Sequence, residues 1–221
     1  METCNKIKNL VSRHRLIAII RLDDLTHAVE ISQALLAGGV YLQEYTLSNP
    51  AALDAIRTVR KQLSVFNTDE AAIGLGSVRN LIEAEQAFDC GAQFIVTPIT
   101  NTTVIERCRL ANVPIMPGAY TPTEISTAWD AGATFVKVFP ARNLGPGYIK
   151  DVLAPMPYLK LMPTGGIDLN NMPEYFSAGA SAVGIGGNII DAQAVADQDW
   201  PRLAATAKMY AECAFWKGGG R

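Results

Sequence analysis

The chain has 221 residues, of which 49% are hydrophobic and 18% are charged, and its formal net charge is −2. This size and composition predict one α/β domain over residues 1–221 with a large core, and they exclude a disordered protein. Because the chain has no basic run, we expect neither nucleic acid nor an anionic membrane as a partner. No segment approaches the roughly 18 uninterrupted apolar residues of a membrane span.

The cysteines lack the spacing of a metal site or a redox motif. None belongs to a CxxC pair, and none lies in a His/Cys cluster. They stand at Cys4, Cys90, Cys108 and Cys213. We read them as reduced thiols. Because the N-terminus also lacks an apolar signal core, we expect a cytoplasmic location.

A short apolar run followed by a helical stretch recurs along the chain. The eight runs are Leu16–Ile20, Tyr41–Tyr45, Ala72–Leu75, Phe94–Val96, Val113–Met116, Phe135–Phe139, Leu159–Met162 and Ala182–Ile185. Four of the helical stretches end at a glycine flanked by small residues, as in Ala131-Gly132-Ala133. Glycine just past a helix adopts the left-handed cap conformation without a Cβ penalty. The pattern is typical of repeated βα units.

The helical stretches fit the same scheme. They are Thr26–Ala37, Pro50–Lys61, Arg79–Asp89, Thr102–Leu110, Pro122–Asp130, Leu169–Ala178 and Pro201–Phe215, with a mobile tail expected from about residue 217. Eight βα units in this length predict a (β/α)8 (TIM) barrel. An open doubly wound sheet is the competing fold. A nucleotide-binding member would carry a glycine-rich turn after the first strand, where this chain has Ile20–Asp24.

One lysine stands out on the strand predicted at Phe135–Phe139. Phe135, Lys137 and Phe139 share one face of this strand, and both faces are otherwise apolar. A simple reading is an edge-strand lysine whose amine reaches solvent. The other reading is a lysine whose pKa is lowered by apolar walls, so that its free amine forms a Schiff base with a ketone.

Other polar residues follow the predicted strands at the rim where TIM-barrel active sites lie. Arg21 follows the first strand, Glu44 ends the second and Lys137 lies on the sixth, so all three are expected to converge. Gly165–Gly166 and Gly186–Gly187 follow the last two strands. Such pairs either bind a phosphate through their backbone amides or form simple turns.

Metal chemistry has little support in the sequence. The only histidines, His14 and His27, flank the first strand, and neither lies on its C-terminal rim. We expect His14 to cap a segment or face solvent. A Ser-His-Asp triad has no candidate either. Covalent lysine chemistry without a metal or cofactor is therefore the leading hypothesis.

Several motifs in order resemble the 2-keto-3-deoxy-6-phosphogluconate (KDPG) and 4-hydroxy-2-oxoglutarate (KHG) aldolase family. The resemblance runs from about Leu16 to Ile190. It rests on Ala37–Val40 leading to Glu44–Leu47, Gly74–Val78, Gly91–Pro98, Met116–Gly118, Thr121–Glu124, Val136–Ala141 and Pro163–Ile167. No one of these motifs would be specific alone.

The resemblance implies a metal-free, homotrimeric class I aldolase that cleaves a 2-keto-4-hydroxy acid to pyruvate and an aldehyde. Lys137 matches the Schiff-base lysine and Glu44 the carboxylate that moves protons. The substrate-binding positions implied are Arg21 and Thr164 for the carboxylate, Gly165, Gly166 and Gly187 for a phosphate, and Thr46, Ser77, Pro98, Phe139 and Asn188 elsewhere in the pocket.

Two positions depart from the family pattern. Ser48 replaces an arginine found in some members, and Asn188 replaces a serine that is frequent in the last loop. Both changes concern substrate binding, so a phosphorylated and an unphosphorylated acid both stay open. A barrel isomerase or synthase for a sugar phosphate, which would need no imine, and a non-catalytic trimeric scaffold are the competing functions.

Overall fold

A computed structural model describes residues 2–215, with side chains from residue 5 onward. The strands in this part are β1 (Leu16–Ile20), β2 (Leu42–Thr46), β3 (Ala72–Gly76), β4 (Ile95–Val96), β5 (Ile115–Met116), β6 (Gly118–Ala119), β7 (Val136–Val138), β8 (Leu161–Pro163) and β9 (Val183–Ile185). The helices are α1 (Glu2–His14), α2 (Ala28–Ala37), α3 (Ala52–Gln62), α4 (Leu81–Asp89), α5 (Thr102–Leu110), α6 (Pro122–Asp130), α7 (Gly145–Leu153), α8 (Met172–Ser177), α9 (Ala192–Ala196) and α10 (Trp200–Phe215). The tail expected to be mobile from about 217 lies outside the described residues.

The strands pair in parallel around a closed ring. Six of them run in the order β5-β4-β3-β2-β1-β9, and three in the order β6-β7-β8. Pro117 alone separates β5 from β6, and a parallel bridge between Thr164 and Gly184 joins the end of β8 to β9. The two sheets therefore form one barrel, and the predicted (β/α)8 architecture is confirmed.

The helices follow the prediction most closely where their caps are strong. Helices α5 and α6 begin and end where expected, because Asn101 caps α5 and Thr121 forms a capping box with Glu124 on α6. The glycines that follow α2, α4, α6 and α8 have positive φ angles, as the predicted left-handed caps require. They are Gly39, Gly91, Gly132 and Gly179.

Three helices were not predicted, namely α1, α7 and α9. Helix α7 begins within Gly145-Pro146-Gly147, which resembles a turn in sequence, although proline is also favoured in the first helical turn. Helix α1 precedes the first strand and falls outside the repeating βα pattern. Its apolar residues Ile7, Leu10 and Val11 nevertheless have helical spacing.

Helix α1 closes the end of the barrel at which the strands begin. Ile7, Leu10 and Val11 pack into one buried cluster with inward-facing strand residues. Those residues are Ile17, Leu42, Ala72, Phe94, Val96, Met116, Phe135, Met162 and Ala182. This packing leaves the opposite end, where the strands finish, for a site.

The expectation for His14 is wrong. Its side chain is buried, with 6% of the residue exposed, and its ring centre lies 4.6 Å from that of Tyr41 and 5.8 Å from that of Phe215. His14 lies where α1 meets β1, and its ring is buried against the aromatic rings of Tyr41 and Phe215. The described cysteines Cys90, Cys108 and Cys213 are free thiols. Between residues 2 and 215, no helix combines the length and apolar character needed to cross a membrane.

Candidate active site

Lys137 lies in the middle of β7, inside the barrel. Its backbone N–H donates to the carbonyl of Pro117 at 2.9 Å, and its strand neighbours are Gly118 and Met162. Only 4% of the residue is exposed, and Nζ lies 5.0 Å from the ring centre of Phe139. Burial is the main cause that lowers the pKa of the Lys137 amine. The edge-strand reading with a solvated amine is therefore wrong.

Glu44 lies on β2, between Ile19 of β1 and Gly74 of β3. It is 1% exposed, and neither carboxylate oxygen has a hydrogen-bond partner among the described residues. Burial raises the pKa of this carboxyl above its ordinary value. A raised pKa favours the protonated carboxyl, which can give its proton to a bound molecule.

Arg21 completes a group of three charges that act on one another. It follows β1 and is exposed to solvent. Arg21 lowers the pKa of Lys137 further, whereas the Glu44 carboxylate opposes that shift. Lys137 and Arg21 both lower the pKa of Glu44, against the larger effect of burial. The three side chains predicted to converge at the rim thus lie within electrostatic reach of one another.

A cavity of about 550 Å³ opens at the rim beside this group. Predicted binding residues that line it are Arg21, Phe139, Thr164, Gly165, Gly166, Gly187 and Asn188. Lys137 and Glu44 are not part of its wall. Phe139 connects the two regions, because it lines the cavity and its ring also lies close to Nζ of Lys137.

The turn after β8 is fixed by close packing. The N–H of Thr164 donates to the carbonyl of Val138 at 3.0 Å, and the Thr164 side chain is buried. A Cβ on Gly184 would stand 2.5 Å from Oγ1 of Thr164, so a glycine there makes room for this hydroxyl. Gly165 and Gly166 follow with φ angles of +95° and +80°, which strongly favour glycine.

The loop after β9 is tied to that turn. Nδ2 of Asn188 donates to the carbonyl of Ile167 at 2.8 Å. Asn188 therefore links the two glycine-bearing loops across the cavity, and its amide nitrogen already has a structural role.

Three of the predicted binding residues do not line this cavity. Oγ1 of Thr46 lies 2.8 Å from Oγ of Ser48, and Ser77 is half-buried at the end of β3 with a φ angle of +64°, which is uncommon outside glycine. Pro98 lines a neighbouring cavity of about 690 Å³, which shares Phe139 and Pro140 with the first.

Sequence reasoning missed Arg142 as a residue of the site. It lines the 550 Å³ cavity together with Asn143 and Ile19. The signal was present in the sequence, because Arg142 follows Pro140 by two residues at the same rim, one position beyond the motif that ends at Ala141. As to metal ligands, residues 2–215 contain no group of three or more His, Cys, Asp or Glu side chains that could hold an ion.

Comparison with known proteins places this geometry in a family. A model described as KDPG and KHG aldolase matches residues 7–206. The chain is 34% identical over 200 residues to a 2-dehydro-3-deoxy-phosphogluconate aldolase of Treponema pallidum, covering 90% of this chain and 92% of the relative. It is 30% identical over 203 residues to the KHG/KDPG aldolase of Escherichia coli strain K12, covering 91% and 92%.

One solved structure with the same fold bears on the reaction, because it contains a covalent intermediate. The KDPG aldolase of Legionella pneumophila is 25% identical and superposes with a TM-score of 0.82, over 91% of this chain and 96% of that one. That structure is described as holding pyruvate captured at low pH as a covalent carbinolamine intermediate. Together with the family match over residues 7–206, the comparison shows that this chain belongs to the KDPG and KHG aldolase family.

Proposed function

We propose that this protein is a class I aldolase whose Lys137 forms an imine with the ketone of a 2-keto-4-hydroxy acid. The substrate is a 2-keto-3-deoxy-6-phospho sugar acid or 4-hydroxy-2-oxoglutarate. The products are pyruvate and either glyceraldehyde 3-phosphate or glyoxylate. The observation that carries the proposal is the buried Lys137 amine, whose pKa is lowered and which lies within electrostatic reach of Glu44 and Arg21.

Imine formation uses Lys137 and Glu44, the two groups whose uncharged forms are favoured by burial. The uncharged Lys137 amine adds to the C2 carbonyl, and the protonated Glu44 gives its proton to the carbonyl oxygen, forming a carbinolamine. The Glu44 carboxylate then takes the extra proton from the nitrogen and gives it to the new hydroxyl, which leaves as water, so the iminium and the Glu44 carboxylate remain. The raised pKa of Glu44 supports this role, because it favours the protonated carboxyl.

In the cleavage step Glu44 acts first as a base rather than as an acid. The Glu44 carboxylate accepts the proton of the C4 hydroxyl, the C3–C4 bond breaks, and its electron pair moves toward the iminium nitrogen. The aldehyde leaves and an enamine remains. Glu44 returns its proton to C3, and hydrolysis of the resulting imine releases pyruvate and restores the Lys137 amine.

The cavity supports assignments for the rest of the substrate. Arg21 and Thr164 would hold the C1 carboxylate beside the reacting carbonyl, since a guanidinium pairs well with a carboxylate. The backbone amides of Gly165, Gly166 and Gly187 would bind the distal phosphate. Phe139 lines the cavity and lies close to Nζ of Lys137, so its ring would contact a substrate joined to the amine.

The remaining assignments are also proposals. Thr46, Ser77 and Pro98 lie outside the 550 Å³ cavity, so we place them around it rather than against the phosphate. Asn188 would order the phosphate loop through its contact with Ile167. Reaction without a metal or cofactor, assembly as a homotrimer and a cytoplasmic location stay predictions.

A panel of acids tests the proposed activity and its substrate class. Pyruvate release is measured from the 6-phospho sugar acid, from its unphosphorylated counterpart and from 4-hydroxy-2-oxoglutarate. The glycine-lined cavity predicts the highest kcat/KM for the phosphorylated acid. An unphosphorylated sugar acid cleaved equally well would favour the alternative suggested by Ser48. Failure to release pyruvate from all three acids would reject the aldolase.

A further inference from the structure

The backbone at Arg142 is held at the edge of the cavity, and the residue is exposed. It lies in the short 3-10 helix Ala141–Asn143, which follows the Phe139–Pro140 pair. The N–H of Ala141 donates to the carbonyl of Thr164 at 2.9 Å, and the hydroxyl of Tyr175 donates to the carbonyl of Ala141 at 3.2 Å. Ala141 itself is 1% exposed. The backbone that carries Arg142 is therefore fixed to the glycine turn after β8.

The aliphatic stem of Arg142 packs directly on that turn. A Cβ on Gly166 would stand 2.9 Å from Cβ of Arg142 and 3.1 Å from its Cγ. Gly166 is thus required both by its positive φ angle and by the approach of Arg142. Within residues 2–215, the backbone N–H groups of Gly166 and Gly187 donate to no protein acceptor. Arg142 and two backbone amides without a protein acceptor therefore line the same cavity.

The charge around the cavity is one-sided. Among its lining residues there is no aspartate or glutamate, and the two ionisable side chains are Arg21 and Arg142. Neither arginine has a carboxylate within 4.0 Å in the described part of the chain, whereas exposed Arg107 pairs with Glu85 and Arg202 with Asp191. The cavity thus offers one guanidinium beside Glu44 and Lys137 and a second on the glycine turn.

We propose that Arg142 binds the distal phosphate of the substrate and makes the enzyme select phosphorylated acids. This inference rests on the proposed aldolase function. A guanidinium pairs with phosphate oxygens through two parallel N–H···O bonds, and the backbone amides of Gly166 and Gly187 supply further donors.

The test compares Arg142→Gln and Arg142→Lys with wild type on the three acids of the panel. We expect Arg142→Gln to lose about 10- to 100-fold in kcat/KM for the phosphorylated acid, mainly through KM. The unphosphorylated sugar acid should change less than about twofold, because it carries no distal anion. Arg142→Lys keeps the positive charge but lacks the planar guanidinium that makes two parallel bonds. It should therefore lose less activity than Arg142→Gln.

The control is Arg57→Gln, which removes an exposed arginine of α3 that pairs with Asp54 at 2.7 Å. This change should leave all three activities as they are in wild type. An equal loss on all three acids in Arg142→Gln, or no loss on the phosphorylated acid, would overturn the role of Arg142. Failure of the aldolase proposal itself is recognised separately, because wild type would then release no pyruvate.

Binding of inorganic phosphate supplies a readout that needs no catalysis. A ligand that binds the folded state raises the melting temperature, and the rise grows with its affinity and concentration. Phosphate should raise the melting temperature of wild type and of Arg57→Gln equally, and that of Arg142→Gln clearly less. The same rise in all three proteins would place the phosphate away from Arg142 and contradict the proposal.

Discussion

The carboxylate of Glu44 occupies the space in which a side chain at Gly76 would lie. A Cβ built on Gly76 would collide with Oε1, Cδ and Cγ of Glu44. Gly76 ends β3 and pairs with Thr46, two residues along β2 from Glu44. The neighbouring strand therefore determines where the proposed proton-transfer group can rest.

Gly76→Ala should displace the Glu44 carboxylate and leave the fold intact. The atoms in the way belong to a flexible side chain, so we expect a loss of stability of about 1–3 kcal/mol, the usual cost of overpacking. Turnover should fall about 100-fold, because a shift of about 1 Å in a catalytic group has that effect. Steady-state kinetics and denaturant unfolding measure the two quantities.

The matched control for this change is Gly147→Ala. A Cβ on Gly147 in α7 would meet no atom within 4 Å, so activity should not change. If Gly76→Ala kept wild-type turnover, the position of Glu44 would not matter for the reaction.

Glu44→Gln separates proton transfer from imine formation. Turnover should fall by about 10²–10⁴-fold, the usual contribution of a general acid–base group. The Glu44 charge raises the pKa of Lys137, so its removal should lower that pKa further. The acidic limb of imine formation, measured by borohydride trapping of pyruvate against pH, should then move to lower pH. Wild-type turnover in this variant would remove Glu44 from its proposed role.

Arg21→Gln should move the same limb in the opposite direction. Arg21 lowers the pKa of Lys137, so without it the amine keeps its proton to higher pH. The acidic limb of pyruvate trapping should therefore shift upward, and the KM for pyruvate-forming acids should rise as the carboxylate partner is lost. A downward shift would contradict the effect of Arg21 on the pKa of the amine, and an unchanged limb with unchanged KM would show that Arg21 acts on neither the amine nor the substrate.

The barrel could be predicted because its signals are local and repeated. Gly39, Gly91, Gly132 and Gly179 each end a helix with a positive φ angle, and the apolar runs between them became strands. Helix α1 could not be predicted from that repeat. Helix α1 is stabilised by tertiary contacts, since Ile7, Leu10 and Val11 fill the end of a barrel formed by residues far along the chain.

The site could be predicted only in part. The sequence predicted that Arg21, Glu44 and Lys137 would lie close to one another, because parallel strands of a barrel bring their carboxyl ends to the same rim. The pairing of Gly76 with the Glu44 carboxylate, and of Gly166 with the Arg142 stem, depends on distances between elements that no local pattern encodes. The exposure of His14 was wrongly predicted for the same reason, because its ring is buried by Tyr41 and Phe215, which lie 27 and 201 residues away in the sequence.

His14 should make stability depend on pH. Burial lowers its pKa below 6.5, and Nδ1 has no partner among the described residues. Between the folded pKa and 6.5 the unfolded chain binds more protons, so the free energy of unfolding should fall as pH drops through this range. His14→Phe keeps an aromatic ring without the titration. Urea unfolding from about pH 8 to about pH 5 should show a shallower decline for the variant, and equal declines would contradict the assignment.

Trapping of the imine tests most directly whether the Lys137 amine is the nucleophile. Wild type is incubated with pyruvate and borohydride, digested, and analysed by mass spectrometry beside Lys137→Ala and a surface control, Lys208→Ala. We predict one reduced pyruvate adduct on the peptide that contains Lys137, present in wild type and Lys208→Ala and absent in Lys137→Ala. An adduct on another lysine, or none in wild type, would contradict imine formation at Lys137.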